Sequence, residues 1–314
     1  MGIQVWRELK QSNGQTAVAL GCFDGLHLGH KKVIDAVVQV KRDGLIPTVF
    51  TFTSDLAEGP CKKGVSFLMD DQRKIYLLQK LGVEQVYLLP FPSVQNFSAQ
   101  EFVEKVLKET LQAKIVSCGF NFHFGKGGYA NQKDLQELCS NLGIQTTVVP
   151  KVEKYGEIVS STKIRKFIEL GKIEEASNLL GYCFGFCFPV VHGRELGRKW
   201  GTPTINQLFP QNFVLPRFGV YASVVKIEGQ YYSGVTNIGV KPTVGSKNVL
   251  AETWILDFSG DLYGEQVPVN LLSFIRPEQK FQDLDALKNA IYRDGDTARQ
   301  IVEKWHLQNE FHMI

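Results

Sequence analysis

Gly21-Cys22-Phe23-Asp24-Gly25-Leu26-His27-Leu28-Gly29-His30 decides the reading of the first half of this chain. The apolar run Ala17-Val18-Ala19-Leu20 precedes it. Val33, Ile34, Ala36, Val37 and Val40 follow at helical spacing. The order is therefore strand, glycine turn, paired histidines, helix. Unpaired backbone N–H groups and the helix dipole favour an anion at such a helix start. Gly25 and Gly29 let a phosphate approach the backbone closely. The N–H groups of His27 and His30 can stabilise charge growing on a transferring phosphate. The pattern is neither G-x-G-x-x-G nor a P-loop. Gly125-Lys126 comes nearest to the latter, but Phe120 stands at its first glycine and Gly127 at its Ser/Thr.

Outward from this turn, strand and helix signals alternate. Thr48–Phe52, Val86–Leu89, Ile115-Val116 and Thr146–Val149 read as further strands. Asp70 to Leu81 reads as a helix closed by Gly82, and Ser98 with Glu101 forms a capping-box pattern ahead of Phe102, Val103, Val106 and Leu107. Leu135 and Leu138 belong to another helix. Repeated β-α units predict a parallel sheet with helices on both faces and ligands at the carboxyl ends of its strands. Helices over Thr162–Leu170 and Ile173–Leu180 follow. Ser160-Ser161-Thr162-Lys163-Ile164-Arg165 opens the first of them. It reads either as a plain N-cap with a basic first turn or as hydroxyls, N–H groups and Arg165 addressing phosphate.

The texture changes near residue 182. From Tyr182 to about Phe274 the chain is glycine-punctuated, aromatic and β-branched, which predicts an antiparallel barrel. Leu284 to about Gln308 returns to helix, with an interruption expected at Asp294-Gly295. Two domains are expected, 1–182 and 183–314. In the second, Thr204 and Asn206 alternate along an extended segment and share a face. Oxygen ligands so spaced suit Mg²⁺ held with nucleotide phosphates. Glu252 is expected to open a strand, where it suits a general base for a hydroxyl nucleophile. The alternative is that these Gly, Pro, Asn and Thr residues only shape turns.

The 314 residues are 44% apolar and 21% charged with a net charge of +3. That is an ordinary globular composition and argues against a strongly basic nucleic-acid binder. No apolar stretch approaches the ~20 residues of a membrane helix. The N-terminus carries no secretory pattern, and Trp6 stands where a myristoylation signal needs Ser or Thr. The six cysteines include no C-x-x-C and read as reduced thiols of a cytoplasmic protein. Cys183 and Cys187, four apart in an expected strand, leave a metal pair as the alternative.

The H-x-G-H element resembles the signature of the nucleotidyltransferase superfamily that includes class I aminoacyl-tRNA synthetases. Over nearly its whole length the chain is similar to the bifunctional bacterial riboflavin kinase/FAD synthetase family. The likeness runs through Gly21–His30, Gly119–Gly125, Ser160–Arg165, Val191-His192-Gly193, Pro203–Asn206, Asn237–Thr243, Glu252, Asp261–Gly264 and Arg276–Phe281. It implies a Rossmann-like α/β nucleotidyltransferase domain with a parallel sheet, and a β-barrel riboflavin kinase domain with terminal helices. It also implies ATP as co-substrate of both reactions, Mg²⁺ in the kinase, and riboflavin and FMN as the other substrates. No nucleic-acid or membrane partner is implied. By the same resemblance His27, His30 and Glu252 are catalytic. Gly21, Phe23, Asp24, Gly25, Gly29, Asn121, Ser161, Thr162, Arg165, Gly201, Thr204 and Asn206 bind nucleotide or phosphate, and Thr204 and Asn206 also hold the metal. The chain departs from the family at Thr51-Phe52-Thr53-Ser54-Asp55-Leu56, where Pro-His-Pro commonly follows Thr-Phe. Thr202 and Ile205 also replace the family's usual aromatic and small residues. Ser54-Asp55 motivates a second reading, a riboflavin kinase with a weak or inactive adenylyltransferase; a third is a non-catalytic flavin sensor built on the same fold.

Overall fold

The structure, a computed structural model, describes residues 2–54, 65–193, 201–243 and 246–308. Its packing forms two compact units, 1–161 and 162–314.

The first unit is built on Gln4–Trp6 (β1), Thr16–Leu20 (β2), Ile46–Phe52 (β3), Gln85–Leu89 (β4) and Ala113–Gly119 (β5). His123–Phe124 (β6) and Ala130–Asn131 (β7) form a small ribbon, and Gln145–Val149 (β8) returns to the main sheet. Glu153–Lys154 (β9) and Glu157–Ile158 (β10) form a second ribbon. The main sheet has the order β1-β4-β3-β2-β5-β8, parallel at every pairing. The chain builds outward from β2 through β3 and β4, then restarts on its other side with β5 and β8. The order thus reverses between β2 and β5, the place where such sheets open a ligand crevice. Helices Leu28–Val38 (α1), Asp71–Lys80 (α2), Ala99–Glu101 (α3) and Gln132–Asn141 (α4) lie between the strands. The capping box is present: Ser98 and Glu101 exchange side-chain and backbone bonds. Behind it α3 continues as a π-helix over Phe102–Thr110, which buries Phe102, Val103, Val106 and Leu107 against Val18, Val116 and Cys118. The expected parallel sheet is present, with β1 as an unforeseen edge strand. It is three half-buried residues long, too short to show a period.

Helix Ser161–Glu169 (α5), all but its first residue, and Ile173–Leu180 (α6) open the second unit. Gly185–Val191 (β11), Thr204–Leu208 (β12), Gly219–Ile227 (β13), Gln230–Thr243 (β14), Ser246–Ile255 (β15) and Gln266–Arg276 (β16) close an antiparallel barrel. Their order is β11-β12-β15-β14-β13-β16. The division of the packing falls after the first residue of α5, upstream of the change in sequence texture, because both helices are fastened to this unit. The Phe184 N–H donates to Ser177 Oγ (3.1 Å), and the Arg217 N–H donates to the Ile168 carbonyl (3.2 Å).

Three local expectations are corrected. Leu284–Gln308 (α7) runs unbroken through Asp294-Gly295. The Asp294 carboxylate does not compete for helix backbone because Arg276 holds it through Nε (3.0 Å) and Nη2 (2.7 Å). Gly295 lies against Trp254, where an added Cβ would come within 2.9 Å of the indole. Glu252 does not open its strand. The β14–β15 ladder already starts at Thr243 and Ser246, so Glu252 sits well inside it. Cys183 precedes β11, so it shares no strand face with Cys187.

Inside the barrel Ser223, Thr236 and Thr253 form a buried chain of hydroxyls (2.8 and 2.9 Å). Strands β11 and β16 approach so closely that a Cβ on Gly185 would lie 2.3 Å from the Val269 carbonyl oxygen and 2.7 Å from Asn270 Cα. The obstacle is backbone and cannot rotate away. Gly185→Ala is expected to destabilise the barrel by about 1–3 kcal/mol, read as a lower urea midpoint by tryptophan fluorescence.

Candidate active sites

In the first unit Leu20 pairs with Phe50 of β3 and Cys118 of β5. The loops after these three strands therefore leave the sheet side by side. The first is wound tightly, with positive φ at Phe23 (49°), Gly25 (80°) and Leu26 (33°). Gly21 leaves room for the Phe23 ring to fold back; an added Cβ would lie 3.1 Å from it. The turn ends on His27, the N-cap of α1, whose Nδ1 accepts the His30 N–H (3.2 Å). In the neutral ring the proton then sits on Nε2, leaving that nitrogen as a donor. The His27 and His30 rings stack with centroids 3.6 Å apart and planes 14° apart. Gly29 makes this cap possible, since a Cβ there would lie 3.1 Å from the His27 ring. Burial holds His30 well below the usual histidine pKa, and the charges of His27 and Lys74 push the same way. His30 Nδ1 is shielded from solvent and has no hydrogen-bond partner.

The other predicted residues of this unit fall into two groups. Asp24 is buried and braces the turn. Its Oδ1 accepts the Leu68 N–H (2.9 Å), and its carbonyl accepts the Ser161 hydroxyl (2.8 Å). Asn121 is exposed just beyond β5. Thr162 and Arg165 lie in the first turns of α5, in the second unit. At the departure from the family pattern, Thr53 and Ser54 are buried. Both hydroxyls and the Ser54 N–H donate to Asp71. Asp55 and Leu56 lie outside the described residues. Sequence reasoning missed Asp71 and Lys74. The signal was present, because both fall at helical spacing with Leu77 and Leu78 on the buried face of α2.

In the second unit the register brings a polar row together. Asn206 of β12 pairs with Glu252 of β15, which pairs with Asn237 of β14. Thr204, two residues before Asn206, shares its face and is exposed. Asn206 is buried, and its Oδ1 has no hydrogen-bond partner. Gly193 packs against that amide so closely that a Cβ would lie 2.4 Å from Nδ2. Asn237, also missed as a site residue, donates to Glu278 Oε1 (3.5 Å). A cavity of about 280 Å³ opens beside Thr204, lined also by Pro203, Ile255, Asp261 and Tyr263, and the His192 ring stacks on Tyr263 (3.9 Å). Gly201 is exposed with φ 72°, close to where the Tyr292 hydroxyl lies. No cluster of three or more His, Cys, Asp or Glu among the described residues could hold a metal.

A histidine pair at the switch point of a parallel sheet, and a barrel carrying a hydroxyl–amide–carboxylate set, define a two-part transferase acting on phosphate esters. Comparison with known proteins makes this specific. A family model described as FAD synthetase matches residues 9–163, and one described as riboflavin kinase matches 180–302. The bifunctional riboflavin kinase/FMN adenylyltransferase of Listeria monocytogenes is 33% identical, covering 91% of this chain and 92% of that protein. Its namesake in Escherichia coli K12 is 33% identical, covering 90% and 91%. A crystal structure described as a macrolide-efflux protein from Streptococcus pneumoniae superposes with a TM-score of 0.83 at 31% identity, covering 95% of this chain and 99% of that one. Among the described residues no helix is long and apolar enough to cross a membrane. The chain belongs to the bifunctional riboflavin kinase/FMN adenylyltransferase family, with both catalytic domains present.

The depressed His30 pKa has a consequence for stability. Unfolding returns the ring to its ordinary pKa of about 6.5, so below that pH the unfolded chain binds the extra proton. His30 therefore contributes its full stability above about pH 6.5 and loses it as pH falls through the folded value. The urea midpoint is expected to drop on acidification, and His30→Gln should flatten that slope.

Proposed function

We propose that the second unit transfers the γ-phosphate of ATP to riboflavin, giving FMN and ADP, and that the first transfers AMP from a second ATP to FMN, giving FAD and pyrophosphate. The observation that carries this reading is the match of both family domains in one chain, at 9–163 and 180–302. The functional boundary is placed at 182/183, where the sequence texture changes.

In the kinase, Glu252 accepts the proton of the ribityl 5′-hydroxyl as its oxygen attacks the γ-phosphorus. The buried, unpartnered Asn206 Oδ1 and the neighbouring Thr204 hydroxyl fit an oxygen-ligated cation. Mg²⁺ bound there would neutralise charge on the ATP phosphates. Gly201 lets nucleotide approach the backbone. In the adenylyltransferase, a phosphate oxygen of FMN attacks the α-phosphorus of ATP and pyrophosphate leaves. Nε2–H of His27 and the His30 ring donate to the α-phosphate as its charge grows. Gly21, Phe23, Gly25 and Gly29 shape the cradle, and Asp24 braces it. Thr162 and Arg165 address the pyrophosphate, Asn121 the phosphate or flavin. Ser161 acts through its backbone N–H, because its hydroxyl is bonded to Asp24. The described cysteines are free thiols, which supports a cytoplasmic enzyme.

Each half is tested with its own substrate. Glu252→Ala is expected to lower FMN formation from riboflavin by about 10²–10⁴-fold while FAD is still made from supplied FMN. His27→Ala is expected to do the reverse, lowering FAD formation by about 10²–10³-fold. Loss of both products in either variant would contradict the division of labour.

A further inference from the structure

Lys74 is one of the largest fully buried side chains of the molecule, 1% exposed. A buried ammonium is costly unless its protons are matched. No carboxylate pairs with it among the described residues. Nζ donates instead to two main-chain carbonyls, Phe52 at 2.8 Å and Cys22 at 3.4 Å. The first ends β3 and the second lies in the glycine turn. The Thr51 hydroxyl reaches the same Cys22 carbonyl at 2.8 Å. Three residues earlier on α2, Asp71 grips Thr53 and Ser54 just beyond β3. The start of α2 is thus a two-handed clamp, with a carboxylate on the donors beyond β3 and an ammonium on the acceptors. Lys74 joins the strand end to the turn that carries the histidines from the side of α2, beside the direct bond that Thr51 makes.

We propose that Lys74 is a positioning residue for adenylyl transfer: its buried ammonium fastens the glycine turn to the end of β3 and keeps a fixed positive charge behind the histidine pair. This rests on the reading of the first unit as the FMN adenylyltransferase. The charges that act on His30 are His27 on α1 and Lys74 on α2; Asp71 lies three residues before Lys74 with Arg7 3.8 Å from it, and Asp24 and Cys22 lie in the turn. Asp71 accepts from Thr53 and Ser54 and Asp24 from Leu68, and Lys74 forms no ion pair with either. The Lys74 charge acts with burial to keep His30 neutral, so the ring meets a phosphate as a neutral donor.

The test uses the full chain with Lys74→Met and Lys74→Gln. Three quantities are read: FAD formation from FMN, FMN formation from riboflavin, and the titration of His30 by NMR of its ring. Lys74→Met should lower kcat for FAD by about 10²-fold, the scale of a small misplacement of catalytic groups, with a smaller change in KM for ATP. In both variants His30 should titrate at higher pH than in the wild type. Lys74→Gln, which keeps a donor but no charge, should lose less activity. FMN formation reports that the chain is folded. A kcat within about twofold of wild type, or an unmoved His30 titration, overturns the proposal. If the variants do not fold, the wild type decides. His30 titrating at or above the ordinary value of about 6.5 overturns the proposal, and titration below it is the expected result. Absence of FAD in the wild type would instead remove the functional reading, and the NMR titration would still judge the charge.

Discussion

The bond from the His30 amide to His27 Nδ1 is the constraint on which the first site depends. A helix start needs an acceptor for its free N–H groups, and most proteins supply a Ser, Thr, Asp or Asn. Here a histidine ring does it. The ring then lies over the first turn, which crowds any side chain at Gly29, and stacks His27 on His30. The same bond fixes the tautomer of the neutral ring, so Nε2 is a donor. One hydrogen bond thereby links helix capping, local sequence and the chemistry offered to a phosphate.

The second unit reaches a comparable result through sheet register. Strand pairing alone sets Asn206, Glu252 and Asn237 in a row. Antiparallel pairing fixes which residues face one another, so a one-residue slip of β15 would turn Glu252 away from Asn206 and Asn237. The barrel holds that register through contacts too close for a side chain at Gly185 or Gly193. Phosphoryl and adenylyl transfer ask mainly for positioned donors, acceptors and charge. Neither unit needs a strained nucleophile: the barrel takes its geometry from regular strand pairing, the first site from a tight turn capped by a histidine ring.

The parallel sheet, the barrel and the H-x-G-H turn were legible in the sequence because each has a strong local signature. The strand-turn-helix order around Gly21–His30 and the capping box at Ser98 need no long-range knowledge. What stayed hidden depends on distant partners. The helix α7 passes through Asp294-Gly295 because Arg276 and Trp254 wait there, far away in sequence. Asn237 joins Glu252 only through the β14–β15 ladder. Lys74 looks like an ordinary helix lysine until the carbonyls of Cys22 and Phe52 are placed above it. That Asp24 bonds Leu68 and the Ser161 hydroxyl bonds the Asp24 carbonyl was also hidden, because proximity in a motif does not say which way a side chain points.

The central claim is that one chain carries both transfers in sequence. The most direct test is a time course of the wild-type chain with riboflavin, ATP and Mg²⁺, resolving riboflavin, FMN and FAD by chromatography. The account predicts FMN first and FAD later, at the expense of FMN. FMN that accumulates without FAD would contradict it and show that Thr53-Ser54-Asp55 does not support adenylyl transfer.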